Sequence, residues 1–327
     1  MPYDVVTVGS ATRDVFMRVK DMVVIRSRRF HTGAAECIPL GSKLSITEIV
    51  YTVGGSAANT AVTFARQKCK TACVARVGDD LRGREIERAL AHEGIDTRFI
   101  RMDKTRMSAY SVVLLSKSGE RSILVYRGAG TALQRRDVPS DAFRTKWFYV
   151  THLGGDSASV FPWLVRKARS QRIKIAANPG TSQLTLPHKT ILPLLKAIDI
   201  LIVNREEAST LTKIPYVRHD EIFKRLDTWV KGLVVMTDGP NGVTVSDGTR
   251  RWHAGILRER RRVDRTGAGD AFGSGFIAAL AHGKNVSHAI ELGSANATSI
   301  LEHIGAQSGI LRKRDSIFRW GKLNITS

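Results

Sequence analysis

Short apolar, β-branched runs recur along this chain with amphipathic helical patterns between them, and no other feature restricts its fold as much. The runs from Asp4 to Gly9, Thr71 to Val77, Trp147 to Val150, Ile173 to Ala177, Ile198 to Val203 and Leu233 to Thr237 read as strands. Helical spacing appears over Ser56 to Gln67 and Leu81 to His92, and a loop, usually with a helix, follows each later strand. This βαβ rhythm predicts an α/β fold in three layers, with helices against a mostly parallel central sheet.

Two stretches depart from the rhythm, at about 12–53 and about 98–128, where period-2 alternation runs on with no helix. In the second, Ser108 to Leu115 and Arg121 to Arg127 flank Lys117, Ser118, Gly119 and Glu120, the pattern of a β-hairpin. Both leave the core near its first strands, so they are expected to pair into a small β-sheet that acts as a lid. Neither an internal repeat nor a low-complexity linker occurs, so residues 1–327 read as one domain with the lid segments inserted. Two long helical stretches follow, Gly267 to His282 and Val286 to His303.

With 43% hydrophobic and 25% charged residues, the 327-residue chain has the composition of a soluble globular protein, which excludes disordered and collagen-like classes. It contains no apolar run of 18 residues, and a strand-like stretch stands where a signal peptide would have its basic and apolar regions. A cytoplasmic protein with no membrane partner is the expectation. Three cysteines, Cys37, Cys69 and Cys73, are read as reduced thiols, since they lack zinc-ligand spacing and are odd in number. The net charge of +21 invites a nucleic-acid reading. Its basic residues are dispersed from Arg26 to Arg314, however, which argues for solubility and attraction of anionic substrates and against nucleic acid as the partner.

The segment from Arg262 to Gly275, RVDRTGAGDAFGSG, sets Gly267, Ala268 and Gly269 before Asp270 and an apolar helix. Backbone N–H groups at such a helix start are unobstructed and bind anions. Phe272 breaks a dinucleotide-binding glycine fingerprint, and no Walker A lysine motif occurs in the chain. Asp270 is then either a base positioned at an anion cradle or a carboxylate complementing the helix dipole. GGSAAN at 54–59 offers two glycines for close approach of a ligand and, in Asn59, a donor and acceptor suited to hydroxyls; judged alone it reads first as an ordinary glycine-rich turn. Ala58 excludes a serine-hydrolase elbow at Ser56. Asn204 and Glu207, three apart after an apolar strand, suit either a hydrated Mg²⁺ or a helix capping box. TDGPNG at 237–242 ends a strand and opens a hairpin, where a nucleotide could also be met.

Taken together, these segments resemble the ribokinase-like carbohydrate kinases, the PfkB family. The resemblance runs in order from Gly9 and Asp14 through GGSAAN, RVGDD at 76–80, EGID at 93–96, NREE at 204–207, TDGPNG, DRTGAGDAF at 264–272 and GAQ at 305–307. It implies Asp270 as general base and the amides of Gly267, Ala268 and Gly269 as an anion hole for the transferred phosphoryl group. It further implies that Asp14, Gly54, Gly55 and Asn59 face the acceptor, and that Thr237, Gly239, Gly242 and Asn204 face ATP. Glu207, with Asn204, would organise Mg²⁺ through water. Asp264 and Thr266 stand where many relatives hold a monovalent cation such as K⁺, with backbone of Ile300, His303 and Gly305 as further ligands. Two departures touch the acceptor: Thr12 and the pair Gly154–Gly155 stand where ribokinases proper carry Asn and Glu. The function so implied is ATP-dependent phosphorylation of a hydroxyl of a sugar or sugar phosphate, with a nucleoside of the adenosine type as alternative acceptor. A homodimer through the lid is the expected assembly. A polyanion-binding protein on a kinase scaffold is the alternative from another class.

Overall fold

A computed structural model describes residues 2–20, 22–30, 33–115 and 121–327. The chain begins with β1 (Tyr3–Val8), leaves the core as β2 (Thr12–Val19), β3 (Val23–Arg26), β4 (Ala34–Cys37) and β5 (Ile46–Gly54), and returns as α1 (Ser56–Arg66). It continues through β6 (Thr71–Gly78), α2 (Leu81–His92), β7 (Ile100–Asp103), β8 (Tyr110–Leu115), β9 (Arg121–Tyr126), β10 (Thr145–Val150), α3 (Val160–Ser170) and β11 (Lys174–Ala177). After α4 (Thr181–Leu184) and α5 (His188–Leu195) come β12 (Ile200–Asn204), α6 (Arg205–Thr212), α7 (His219–Trp229), β13 (Leu233–Thr237), β14 (Val243–Ser246) and β15 (Arg251–Ala254). Helices α8 (Ala268–Ala281) and α9 (Val286–Leu301) follow, and a short β16 (Ile325–Thr326) ends the chain.

The central sheet has the order β16-β15-β14-β13-β12-β11-β10-β1-β6-β7. It is parallel from β13 to β7, and β14 to β16 extend one edge antiparallel. Its strands are buried on both faces, and the period of two sorts their side chains between two apolar layers. Val6, Val8, Phe148, Val150, Leu201 and Val203 pack with α3, α5, α6 and α7 residues such as Leu164, Ile191, Leu211 and Phe223. Trp147, Tyr149, Ile200, Ile202 and Val235 point the other way, against Phe272 and Phe276 of α8. On that same face Cys73, Ala75 and Val77 of β6 meet Ile86 and Leu90 of α2. The three-layer α/β/α prediction therefore holds, because each strand carries apolar residues in both phases.

A separate four-stranded sheet, β5-β2-β8-β9, forms the lid, and β3 pairs with β4 beside it. Strands β8 and β9 pair antiparallel from Tyr110↔Tyr126 to Leu115↔Arg121, as the hairpin pattern predicts; the turn at 117–120 lies outside the described residues. The second lid segment starts later than about 98, since Ile100–Asp103 pairs in parallel with β6 and closes the edge of the central sheet. Its four residues, IRMD, alternate apolar and polar between the two faces of the strand, a pattern that an edge strand of the core shares with a lid strand. No helix among the described residues is long and apolar enough to cross a membrane.

Candidate active site

Parallel α/β sheets gather their chemistry where the carboxyl ends of the strands open onto helix N-termini. Here the ends of β1 and β10 and the starts of α1 and α8 line a cavity of about 320 Å³ that includes Thr12, Asp14, Gly55, Asn59, Gly267 and Asp270. Two predicted groups, the acceptor residues from the first sixty positions and the glycine-rich turn far down the chain, are thus brought to one place.

Asp270 is the third residue of α8, and Gly267, its N-cap, has φ +84°, a conformation glycine adopts without steric cost. A Cβ on Gly267 would stand 2.4 Å from Cβ of Ala306, whereas one on Gly269 would meet nothing within 4 Å. The turn is thus packed against Ala306 at Gly267 and open at Gly269. Asn59 donates from Nδ2 to Asp270 Oδ2 at 2.9 Å and accepts at Oδ1 from Gln307 Nε2 at 3.1 Å. Burial pushes the Asp270 carboxyl above its ordinary range, opposed by hydrogen bonds from Asn59 and Ser56.

Asp14 is 6% exposed and accepts from the Thr12 hydroxyl at 2.9 Å and from Ser111. Burial raises this carboxyl too, against the pull of those donors. The glycines of GGSAAN serve differently from the expectation of close ligand approach. A Cβ on Gly54 would lie 1.8 Å from Asp14 Oδ2, and one on Gly55, at φ +90°, would lie 2.6 Å from the carbonyl oxygen of Ser10. They make room for the Asp14 carboxylate and the Ser10–Ala11 backbone, and Gly55 alone of the two lines the cavity.

Ser56, Ser111, Arg127 and His152 also line the cavity, and sequence reasoning had assigned none of them. His152 accounts for glycine at 154 and not at 155: a Cβ on Gly154 would stand 2.8 Å from its Nε2 and one on Gly180 1.6 Å from its Nδ1, whereas one on Gly155 would meet Thr131. Small residues thus leave space that an imidazole fills. Burial, helped by the nearby Arg127 charge, lowers the His152 pKa.

Asn204 and Thr237 are register partners on β12 and β13, so the nucleotide residues come together at the same sheet edge. Asn204 Oδ1 accepts from the Glu207 amide, and Glu207 Oε2 from the Asn204 amide, both at 2.8 Å. The spacing therefore builds a capping box at the start of α6. Only Oε2 of Glu207 is used in it, so the second oxygen fits a water-bridged Mg²⁺. Gly239 and Gly242 bound the turn after β13, where Asp238 accepts from Arg205 at 2.8 Å, Tyr216 at 2.5 Å and Asn241 at 3.0 Å. Those bonds outweigh burial and hold the Asp238 carboxyl below its usual range. This brace escaped sequence reasoning because its partners lie on separate loops.

Asp264 is 3% exposed; Oδ1 accepts from the Thr266 amide and hydroxyl, and Oδ2 from the Gly305 amide. The monovalent-cation expectation meets an obstacle here: Arg121 Nε of the lid stands 3.9 Å from Asp264 Oδ1. Elsewhere, burial pushes the Cys69 and Cys73 thiols up to about 11, and no group of three metal-ligating His, Cys, Asp or Glu side chains occurs among the described residues.

The profile of the pfkB family carbohydrate kinases matches residues 4–314. The chain belongs to that family. A ribokinase of Haemophilus influenzae is 31% identical over 269 residues, covering 81% of this chain and 86% of the relative. Among solved structures, the ribokinase of Arabidopsis thaliana complexed with ribose and ATP superposes with a TM-score of 0.78 at 23% identity, over 98% of this chain and 99% of that one. The adenosine kinase of Sinorhizobium meliloti superposes at 0.77 with 25% identity, over 94% and 96%. The family's ribokinase-like architecture, a large mostly parallel sheet with a small separate lid, is the one described above.

Proposed function

We propose that this carbohydrate kinase transfers the γ-phosphoryl group of ATP to a hydroxyl of a small sugar or sugar phosphate, with Asp270 as general base. The observation that carries the reading is the meeting of Asp14, Asn59 and Asp270 around one cavity at the open glycine-rich start of α8. In the transfer, the acceptor oxygen bonds to the γ-phosphorus, the bond to the bridging β,γ oxygen breaks, and ADP leaves. Asp270 takes the hydroxyl proton, and burial keeps its carboxylate basic enough to do so. The amides of Gly267, Ala268 and Gly269 neutralise charge on the transferred group. Mg²⁺, which shields phosphate charge, would be held through water by Glu207 with Asn204; Thr237, Gly239 and Gly242 would approach the nucleotide.

Within this reading Arg127 favours an anionic acceptor. The cavity is lined by a guanidinium as well as by the Asp14 and Asp270 carboxylates, a set of groups that suits a polyol bearing phosphate. A coupled ADP-release assay over sugars, sugar phosphates and nucleosides tests both levels. Turnover with a sugar phosphate above all others supports the anionic reading. Adenosine outcompeting every sugar replaces the acceptor, and salt-sensitive RNA binding with no ATP turnover replaces the kinase assignment.

For assembly, a homodimer through the lid is part of the same reading. Ile49, Tyr51, Ile123 and Leu124 of lid strands β5 and β9 are exposed, an apolar surface a second copy would cover. Light scattering at micromolar concentration distinguishes a dimer from a monomer.

A further inference from the structure

Asp264 and Thr266 precede the glycine-rich start of α8. Asp264 is buried and has about four acceptor positions, of which the Thr266 amide, the Thr266 hydroxyl and the Gly305 amide fill three. All three donors are neutral. The guanidinium of Arg121, the first residue of lid strand β9, stands beside Asp264, and its Nε is buried with no hydrogen-bond partner. At 3.9 Å from Asp264 Oδ1 the contact is Coulombic and too long for a hydrogen bond.

The surroundings hold the arginine there. Phe16, Val113 and Leu115 of the lid pack with Ile304, and a Cβ on Gly305 would come within 2.9 Å of Thr52 on β5. Lid and loop thus meet at residues 304 and 305, next to the Gly305 amide that donates to Asp264. A metal cation seated on Asp264 would face a fixed positive charge and would compete with amide donors for the same oxygens. Potassium therefore fits these residues poorly.

We propose that Arg121 replaces the monovalent cation: its guanidinium supplies the positive charge that steadies the Asp264 to Gly269 loop, and activity is independent of potassium. The proposal rests on the kinase reading for its turnover arm alone. A buried carboxylate left with neutral donors only is unfavourable, so removing the guanidinium creates the vacancy that a monovalent cation could fill.

The experiment compares the wild-type protein, Arg121→Ala and Arg121→Met in potassium chloride and in choline chloride at equal ionic strength. Turnover and melting temperature are both read. For the wild type we expect turnover within twofold in the two salts and no potassium-dependent shift in melting. Both variants should lose about tenfold or more in choline and regain most of it in potassium, and their melting temperatures alone should rise with potassium. Arg121→Met keeps the apolar stem, so it remains informative if Arg121→Ala does not fold. Wild-type turnover that requires potassium overturns the proposal, as do variants whose turnover and melting ignore the choice of salt. If no acceptor supports turnover in any protein, the kinase reading fails, and the melting arm still decides whether Arg121 holds the cation's place.

Discussion

Asn59 donates a hydrogen bond of 2.9 Å to Asp270 across a sequence separation of 211 residues, tying the start of α1 to the start of α8 at the floor of the cavity. Because Gln307 holds the other end of the same amide, the Asn59 side chain is fixed in orientation, and through it the carboxylate that faces the acceptor.

Asp270→Asn should therefore separate activity from stability. Turnover should fall by about 10² to 10⁴ when the base is removed. Stability should move the other way at neutral pH. The folded carboxyl is raised by burial, so its stabilising contribution is full below the ordinary carboxylate range and is lost as pH rises through the raised value. Asparagine does not titrate. Thermal melts should show the variant more stable than the wild type at pH 7 and the difference shrinking toward pH 4; a gap that widens on acidification would contradict the raised carboxyl.

Asp14→Ala tests the acceptor side. The carboxylate is held by Thr12 and Ser111 in a buried position, and a sugar hydroxyl would donate to it. Losing that partner leaves polar groups unmatched at about 1 to 3 kcal/mol, so kcat/KM for the acceptor should fall about 5-fold to 150-fold with ATP affinity unchanged. Unaltered acceptor kinetics would remove Asp14 from the site.

Arg127→Ala addresses the charge of the acceptor. Hydrogen bonds to charged groups contribute about 1.5 to 3 kcal/mol, so KM for a sugar phosphate should rise about 10-fold to 150-fold while a neutral sugar is unaffected. Equal effects on both would make Arg127 a general feature of the lid.

Much of this was legible in the sequence. Strands such as Leu233–Thr237 and helix Leu81–His92 match their predicted limits because period and capping residues agree locally. The GGSAAN and GAGD segments pointed to the candidate site through their place in an ordered set of motifs, since a glycine-rich helix start alone also serves packing of the kind Gly54 and Gly55 show. What stayed hidden depends on long-range packing. Ile100–Asp103 alternates like a lid strand yet joins the core edge, His152 reaches the cavity only because Gly154 and Gly180 lack side chains, and Arg121 meets Asp264 only through the seating of the lid.

Gly267 and Gly269 offer the last test, since they sit two residues apart and differ in what surrounds them. A methyl on Gly267 would collide with Ala306 in a backbone conformation that disfavours L side chains, so Gly267→Ala should lower the melting temperature along with activity. Gly269 faces open space within the first turn of α8, where alanine is the better helix former by up to about 1 kcal/mol. Gly269→Ala should therefore melt at or above the wild-type temperature. Its turnover should still drop, because the added methyl stands beside an amide that the phosphoryl oxygens must approach, and a displacement of about 1 Å there costs about 10²-fold. The pair is read by melting curves and steady-state kinetics on the same preparations. A Gly269→Ala enzyme of normal turnover would move the phosphoryl group away from this face of the loop, and the anion-hole role of the three amides would fall with it.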